Sequence, residues 1–355
     1  MTRLERIREA LKRSGADGLL VTSKSNRRYA SRFASSAGAV FITGEKAYLI
    51  VDFRYIEAAG KGADPAFEVR SLKETFQKDI AALVEENGVK TVAFENNSMS
   101  VSEFESYKAV CKCSFVPFGS GMETVREIKE KEELEYIKTA QSITERAYAA
   151  LLPQLHAGMT EKEVATILMY EMYKNGADGL SFPVIAVSGA NSSLPHGVPT
   201  DKVIEDGDFL TMDFGAVYKG YCSDMTRTVA FGCITDEMKN VYETVLEAQL
   251  AAIEGAKAGM KGKAIDAIAR DIIAEAGYGE CFRHGLGHCV GLDNHEGPRA
   301  NKIEEKTLEK GHVLTIEPGI YIAGRFGVRI EDMIYFGENG IENLTSAPKE
   351  LYIVK

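Results

Sequence analysis

The hydrophobic pattern opens helical and turns strand-like within twenty residues. Leu4, Ile7 and Leu11 recur among charged residues at helical spacing, which predicts an amphipathic opening helix. Short apolar runs follow at 18–22, 39–43, 47–52 and 91–95, with helical patterns between them near 53–62, 73–87 and 101–110. Strands alternating with helices predict a small α/β domain around a twisted, covered sheet. The polar stretch 23–33, SKSNRRYASRF, interrupts this alternation and reads as a surface loop.

Glycines at 119 and 121 mark a boundary, which divides the chain into 1–122 and 123–355. A charged run with a recurring apolar face at 123–152 predicts a long helix on a domain surface. Beyond it lies an internal repeat. GMTEKEVATILMYEMYKNG (158–176) and GMKGKAIDAIARDIIAEAG (259–277) align without gaps. Both open on Gly-Met and close on Gly, and Val164/Ile265 and Ile167/Ile268 coincide. Thr160 and Glu163 form a capping box that starts the first of the two helices. A duplicated α/β half, with a site built between the halves, accounts for this pattern.

Composition narrows the classes of partner. At 355 residues, 45% hydrophobic and 26% charged, the chain has the balance of a globular protein with material for two cores. A formal net charge of -10, with no long run of Lys and Arg, argues against nucleic acid, whose binding requires phosphates to be neutralised. No apolar stretch approaches the roughly 18 to 20 residues that span a bilayer, and no signal peptide is expected. Six cysteines scattered without a CxxC pair fit free thiols in a reducing compartment, and the cytoplasm is the expected location.

The chemistry-bearing residues lie in the second part. Asp213 and Asp224 lie equally far from the midpoint between Tyr218 and Lys219 in a strand-like segment, with Tyr218-Lys219-Gly220 as the turn region. An antiparallel hairpin there would let the two carboxylates face one another, which requires a cation or a shared proton. HGLGHCVGLDNHEGP (284–298) places three of the six histidines within twelve residues, and its glycines argue against a regular helix. Glu317 and Glu331 each sit in an apolar segment, where a carboxylate must be paired, hydrogen-bonded or metal-bound. Arg329, two residues before Glu331, is placed for a salt bridge with a carboxylate. Four carboxylates and one imidazole form a set that suits two hard or borderline divalent ions: Mn²⁺ foremost, with Co²⁺ or Zn²⁺ as alternatives.

The order Asp213, Asp224, His288, Glu317, Glu331 resembles that of the metallopeptidases of the pita-bread fold, which include methionine aminopeptidase, aminopeptidase P and prolidase. SGANSSLPHG, GYCSDMTRT, HGLGHCVGLDNHEGP, TIEPGIY and VRIEDM look like that family's blocks. The preceding domain of 1–122 is similar to that of the Xaa-Pro branch.

The resemblance implies an α/β (α+β) protein: a small N-terminal α/β domain followed by a pseudo-two-fold pita-bread catalytic domain. It implies a homodimer, and peptides with proline in second position as substrates. It further implies that Asp213 chelates one ion, that His288 and Glu317 serve the other, and that Asp224 and Glu331 bridge both. Glu317 would also shuttle a proton. His196 and His295 would contact the substrate and the tetrahedral intermediate, with His284 and Arg329 on the substrate side. Phe182, Tyr221 and Arg299 are candidate lining residues. Asn294 and Pro183 depart from the family's usual residues, and neither is expected to touch the ligands. A dipeptidase of the prolidase type is favoured, with an aminopeptidase P acting on longer peptides as the alternative. A metal-free creatinase-like hydrolase or a silent binding protein would be expected to have lost ligands that are present here.

Overall fold

The opening periodicity becomes the helix Arg3–Ser14, which a reciprocal Thr2–Glu5 capping box starts and whose Leu4, Ile7 and Leu11 are buried. This computed structural model describes residues 1–355, which form two compact units, Met1–Arg126 and Glu127–Lys355.

The first unit is built on a six-stranded sheet, in the order Glu68–Ser71, Ala47–Val51, Ala39–Thr43, Gly18–Val21, Thr91–Phe94, Ser114–Pro117. The middle strands are antiparallel and the outer pairings parallel, as βα connections require. The stretch 23–33 departs from its reading as a loop: Lys24–Ser31 is a helix. Its buried face mixes Asn26, Arg27 and Ser31 with Tyr29 and Ala30, so hydrophobic periodicity did not reveal it. The Glu95 carboxylate fixes its start by accepting from the Thr22 and Ser23 amides and from Asn26 Nδ2.

The charged run 123–152 is two helices rather than one. Gly121–Glu127 ends, and Lys131–Leu151 restarts behind a Glu130–Glu133 capping box. That second helix and Glu161–Lys174 pack on a four-stranded sheet of Ile185–Ser188, Phe209–Phe214, Met225–Phe231 and Ile353–Val354. Helices Asp236–Gly255 and Gly262–Glu275 pack in the same way on a five-stranded sheet that contains Gly287–Cys289, Val313–Ile316 and Asp332–Gly337.

The repeat seen in sequence is thus one helix from each half. Its four boundary glycines share a backbone requirement: Gly158 and Gly259 have φ of 97° and 87°, Gly176 and Gly277 of 99° and 89°. Residues with a Cβ seldom adopt that region, which is why glycine recurs at both ends.

The hairpin between the aspartates closes one residue later than symmetry about 218 and 219 suggests. Lys219 and Gly220 both have positive φ, 45° and 81°, as a two-residue hairpin turn of the primed type requires. Asp213 consequently pairs with Thr226, and Asp224 lies just before the start of its strand.

Candidate metal centre

Local structure explains how each acidic side chain comes to the same place. Asp213 is near the end of Phe209–Phe214, and Asp224 sits at the bend before Met225. His288 is central in the short strand Gly287–Cys289, where Gly287 leaves room for the Thr315 carbonyl; a Cβ there would lie 1.9 Å from that oxygen. Glu317 follows the end of Val313–Ile316, just before Pro318. The apolar segment that carries Glu331 forms two strands. Phe326–Arg329 closes a hairpin, Asp332–Gly337 continues the larger sheet, and Glu331 occupies the break with its amide donating to the Thr226 carbonyl.

Donor atoms of Asp224, His288 and Glu331 all lie within 4.8 Å of one another, and all three residues are buried. His288 Nε2 is 3.6 Å from Asp224 Oδ2 and 3.4 Å from Glu317 Oε1. Its Nδ1 is 3.1 Å from the Cys289 carbonyl, which fixes the proton on Nδ1 and turns the Nε2 lone pair toward the carboxylates. Burial, reinforced by His295, lowers the His288 pKa to about 3, so the ring is a neutral donor. Burial also pushes Glu317 up to about 8. Asp224 is raised by burial and then by Glu331, and Glu331 by burial and then by Glu317. Asp213 Oδ1 and Asp224 Oδ1 are buried without a hydrogen-bond partner. Unpartnered carboxylate oxygens, mutual repulsion and an imidazole lone pair aimed among them are the features a divalent cation satisfies. The donor set fits such ions.

Arg329 pairs with Asp213 rather than with Glu331, at 2.7 Å. Its other donors reach Tyr321 Oη, Thr226 Oγ1 and the Pro195 carbonyl. Expected among the substrate contacts, it lines the cavity over the cluster, is 3% exposed and donates to these protein acceptors. Thr226 in turn donates to Glu331 Oε2 at 2.6 Å. His284 Nε2 lies 3.0 Å from Tyr321 Oη, and burial followed by Arg329 lowers its pKa to about 4.

A cavity of about 480 Å³ opens over these groups, lined by His196, His284, His295, Phe182, Arg299 and the ligand set among others. The His295 ring stands 4.1 Å from that of His288. Tyr221 is absent from the lining, since its hydroxyl is buried against Glu133. Asn294 does touch the ligand set: its side-chain amide hydrogen-bonds Asp224, contrary to the sequence expectation. Pro183 lines the cavity. Thr226, Thr315 and Tyr321 escaped the sequence reading, because a hydroxyl in a strand carries no pattern of its own until its partner is known.

Buried carboxylates gathered around one inward-facing imidazole at a cavity define a metal-dependent hydrolase. The chain belongs to metallopeptidase family M24, whose model matches residues 135–338; a Creatinase/Prolidase N-terminal domain model matches residues 3–128. A Xaa-Pro dipeptidase of Pyrococcus horikoshii is 39% identical over 98% of this chain and 98% of its own. A solved Xaa-Pro dipeptidase from Bacillus anthracis superposes with a TM-score of 0.97 at 43% identity, covering 99% of each chain. A solved X-Pro aminopeptidase from Thermotoga maritima gives 0.91 at 40% identity, covering 98% of this chain and 100% of that one.

Proposed function

We propose that this protein is a metal-dependent Xaa-Pro dipeptidase that hydrolyses the bond between an N-terminal residue and proline. The observation that carries this reading is the cluster of Asp224, His288 and Glu331, with Asp213 and Glu317 adjoining, at the cavity of an M24 chain. Asp213, Asp224, His288, Glu317 and Glu331 would hold two divalent ions. The oxygen-rich donor set favours Mn²⁺, with Co²⁺ or Zn²⁺ as alternatives. Such ions supply Lewis acidity toward a carbonyl and make water acidic enough to serve as a nucleophile near neutral pH.

The chain's own groups do the rest. Glu317, at the edge of the cluster, would take a proton from the attacking water and deliver it to the leaving prolyl nitrogen. His295 and His196 donate or accept hydrogen bonds at the reacting carbonyl. Neutral His284, oriented by Tyr321, borders the substrate. Arg329 holds Asp213 in place rather than binding substrate. Proline is a substrate most peptidases reject, because its nitrogen lacks a hydrogen and its ring fixes φ.

Residues 1–122 serve as the N-terminal domain and 123–355 as the catalytic domain of a homodimer, as in the family that the motifs resemble. Six free thiols support a reducing, cytoplasmic location. The Thermotoga neighbour, named as an X-Pro aminopeptidase, supports action on longer peptides as the second reading. The test is release of the N-terminal alanine from Ala-Pro and from longer Ala-Pro peptides by metal-stripped protein reloaded with Mn²⁺, Co²⁺ or Zn²⁺. Metal-dependent cleavage of Ala-Pro alone supports the dipeptidase. Cleavage of longer Ala-Pro peptides moves the assignment to the aminopeptidase, and cleavage of neither rejects both.

A further inference from the structure

Glu161 opens the helix Glu161–Lys174 and is fully buried, at 0% exposure. Its carboxylate is surrounded by donors. Oε1 accepts from the Ser188 amide at 2.6 Å, from Ser188 Oγ at 3.1 Å and from Asn191 Nδ2 at 3.1 Å. Oε2 accepts from the Thr200 amide at 2.9 Å and Thr200 Oγ1 at 2.7 Å, with Asn191 Nδ2 at 3.3 Å. These donors sit at both ends of the segment 188–200, which turns through Gly189–Ser193 and carries His196.

One carboxylate therefore ties the two feet of the loop that presents an exposed, cavity-lining histidine. The far side of the loop rests on the hairpin ending at Arg329: the Gly327 amide donates to Ser192 Oγ at 2.8 Å, and Arg329 Nη1 reaches the Pro195 carbonyl. A glutamine at 161 would turn an NH₂ group toward one of the two backbone amides. At least one buried donor would then lose its acceptor, and the loop would shift to recover it.

The second half of the molecule uses a related device. In helix Gly262–Glu275, Asp266 accepts from the Leu286 amide and from Arg270, and Arg270 donates to the carbonyls of Phe282 and His284. A buried acid on each of the two repeat helices thus anchors a loop bearing a cavity histidine.

We propose that Glu161 is a positioning residue for His196, acting by clamping both ends of the loop that carries it. The consequence for catalysis rests on the peptidase reading above, whereas the positioning itself does not. Two measurements keep these apart. In zinc-loaded protein labelled with ¹⁵N-histidine, Glu161→Gln is expected to shift or broaden the imidazole signals of His196, leaving those of His156 and His284 in place. Asp266→Asn should instead move His284. Unmoved His196 signals in folded Glu161→Gln protein would overturn the proposal, whatever the protein's activity.

In the kinetic arm, Glu161→Gln should lower kcat/KM on Ala-Pro about ten-fold, the scale of a lost buried hydrogen bond, and have no further effect in a His196→Ala background. An equal loss in both backgrounds is the signature of general destabilisation and would reject the role. Thr200→Val, which removes one hydroxyl donor to Glu161 and the acceptor of the exposed Lys202 amide, should give the same signs with smaller size; it carries both measurements if Glu161→Gln does not fold. Absence of Ala-Pro cleavage by the wild-type protein would count against the peptidase reading, with the spectra still deciding the clamp.

Discussion

Arg329 shows how one side chain sets the geometry of a site it does not itself ligate. It holds Asp213 Oδ2 at 2.7 Å while touching Thr226, Tyr321 and Pro195, so the carboxylate is oriented by a rigid fork. Lysine has no such fork. Arg329→Lys is expected to weaken Mn²⁺ affinity by about 10- to 100-fold, measured by titration calorimetry; unchanged affinity would mean Asp213 is held by other contacts.

His312 offers a pH effect away from the ligands. It is 2% exposed, its Nδ1 accepts from the Glu309 amide at 2.8 Å, and burial, followed by Lys129, lowers its pKa from 6.5 to about 4. Above pH 6.5 the ring is neutral folded or unfolded, so it adds no pH dependence. Between 6.5 and 4 the unfolded chain takes up a proton that the folded one refuses, and stability falls as pH is lowered. His312→Asn keeps an acceptor for the Glu309 amide and removes the titration. Urea unfolding at pH 7 and pH 4.5 should show a smaller acid loss in the variant than in the wild type. The types and order of the five acids and histidines were readable at this scale, because carboxylates in apolar strands and glycine-spaced histidines break the pattern around them. The hydroxyls and the Asn294–Asp224 contact were not, since they depend on partners distant in sequence.

Elements were legible where apolar periodicity was clean. The opening helix, four of the six strands of the first unit and the two repeat helices announced themselves this way; the partly exposed outer strands Glu68–Ser71 and Ser114–Pro117 carry no clean apolar run. Lys24–Ser31 did not, because hydrogen-bonded Asn26, Arg27 and Ser31 share its buried face with only Tyr29 and Ala30. Nor did the break at Ile330–Glu331, where apolar residues on both sides of Glu331 and Asp332 conceal a change of sheet. The hairpin register slipped by one residue for a similar reason: the turn is set by which residues tolerate positive φ, and Lys219 does so here without being glycine. At the repeat boundaries the glycine signal is testable. Gly277 has φ 89° and open space where a Cβ would go, so the cost of Gly277→Ala is purely conformational, about 1 kcal/mol. Gly277→Asn should cost less, because asparagine tolerates the left-handed region. Chemical denaturation of both variants checks the order, and equal stability to wild type would remove the conformational explanation.

For the molecule as a whole, every residue lining the cavity lies in Glu127–Lys355, and none in Met1–Arg126. Metal binding and stability should therefore be linked in one unit only. Scanning calorimetry is expected to show two transitions. Mn²⁺ at about a hundred times its Kd should stabilise the larger unit by about 2.7 kcal/mol and leave the smaller one in place. A single transition that moves as a whole would show that the two units unfold together.

The sequence by itself determined the class of each domain, the duplicated helices and the candidate acids and histidine that line the cavity. Those follow from local periodicity, capping chemistry and the cost of burying charge, all of which act between near neighbours. The tertiary structure alone decided which carboxylate Arg329 holds, which hydroxyls orient Glu331 and Glu317, and how Glu161 reaches both ends of the His196 loop. Each of these is a hydrogen bond between residues brought together by sheet pairing and helix packing, and a linear pattern carries no record of which distant donor will meet which acceptor.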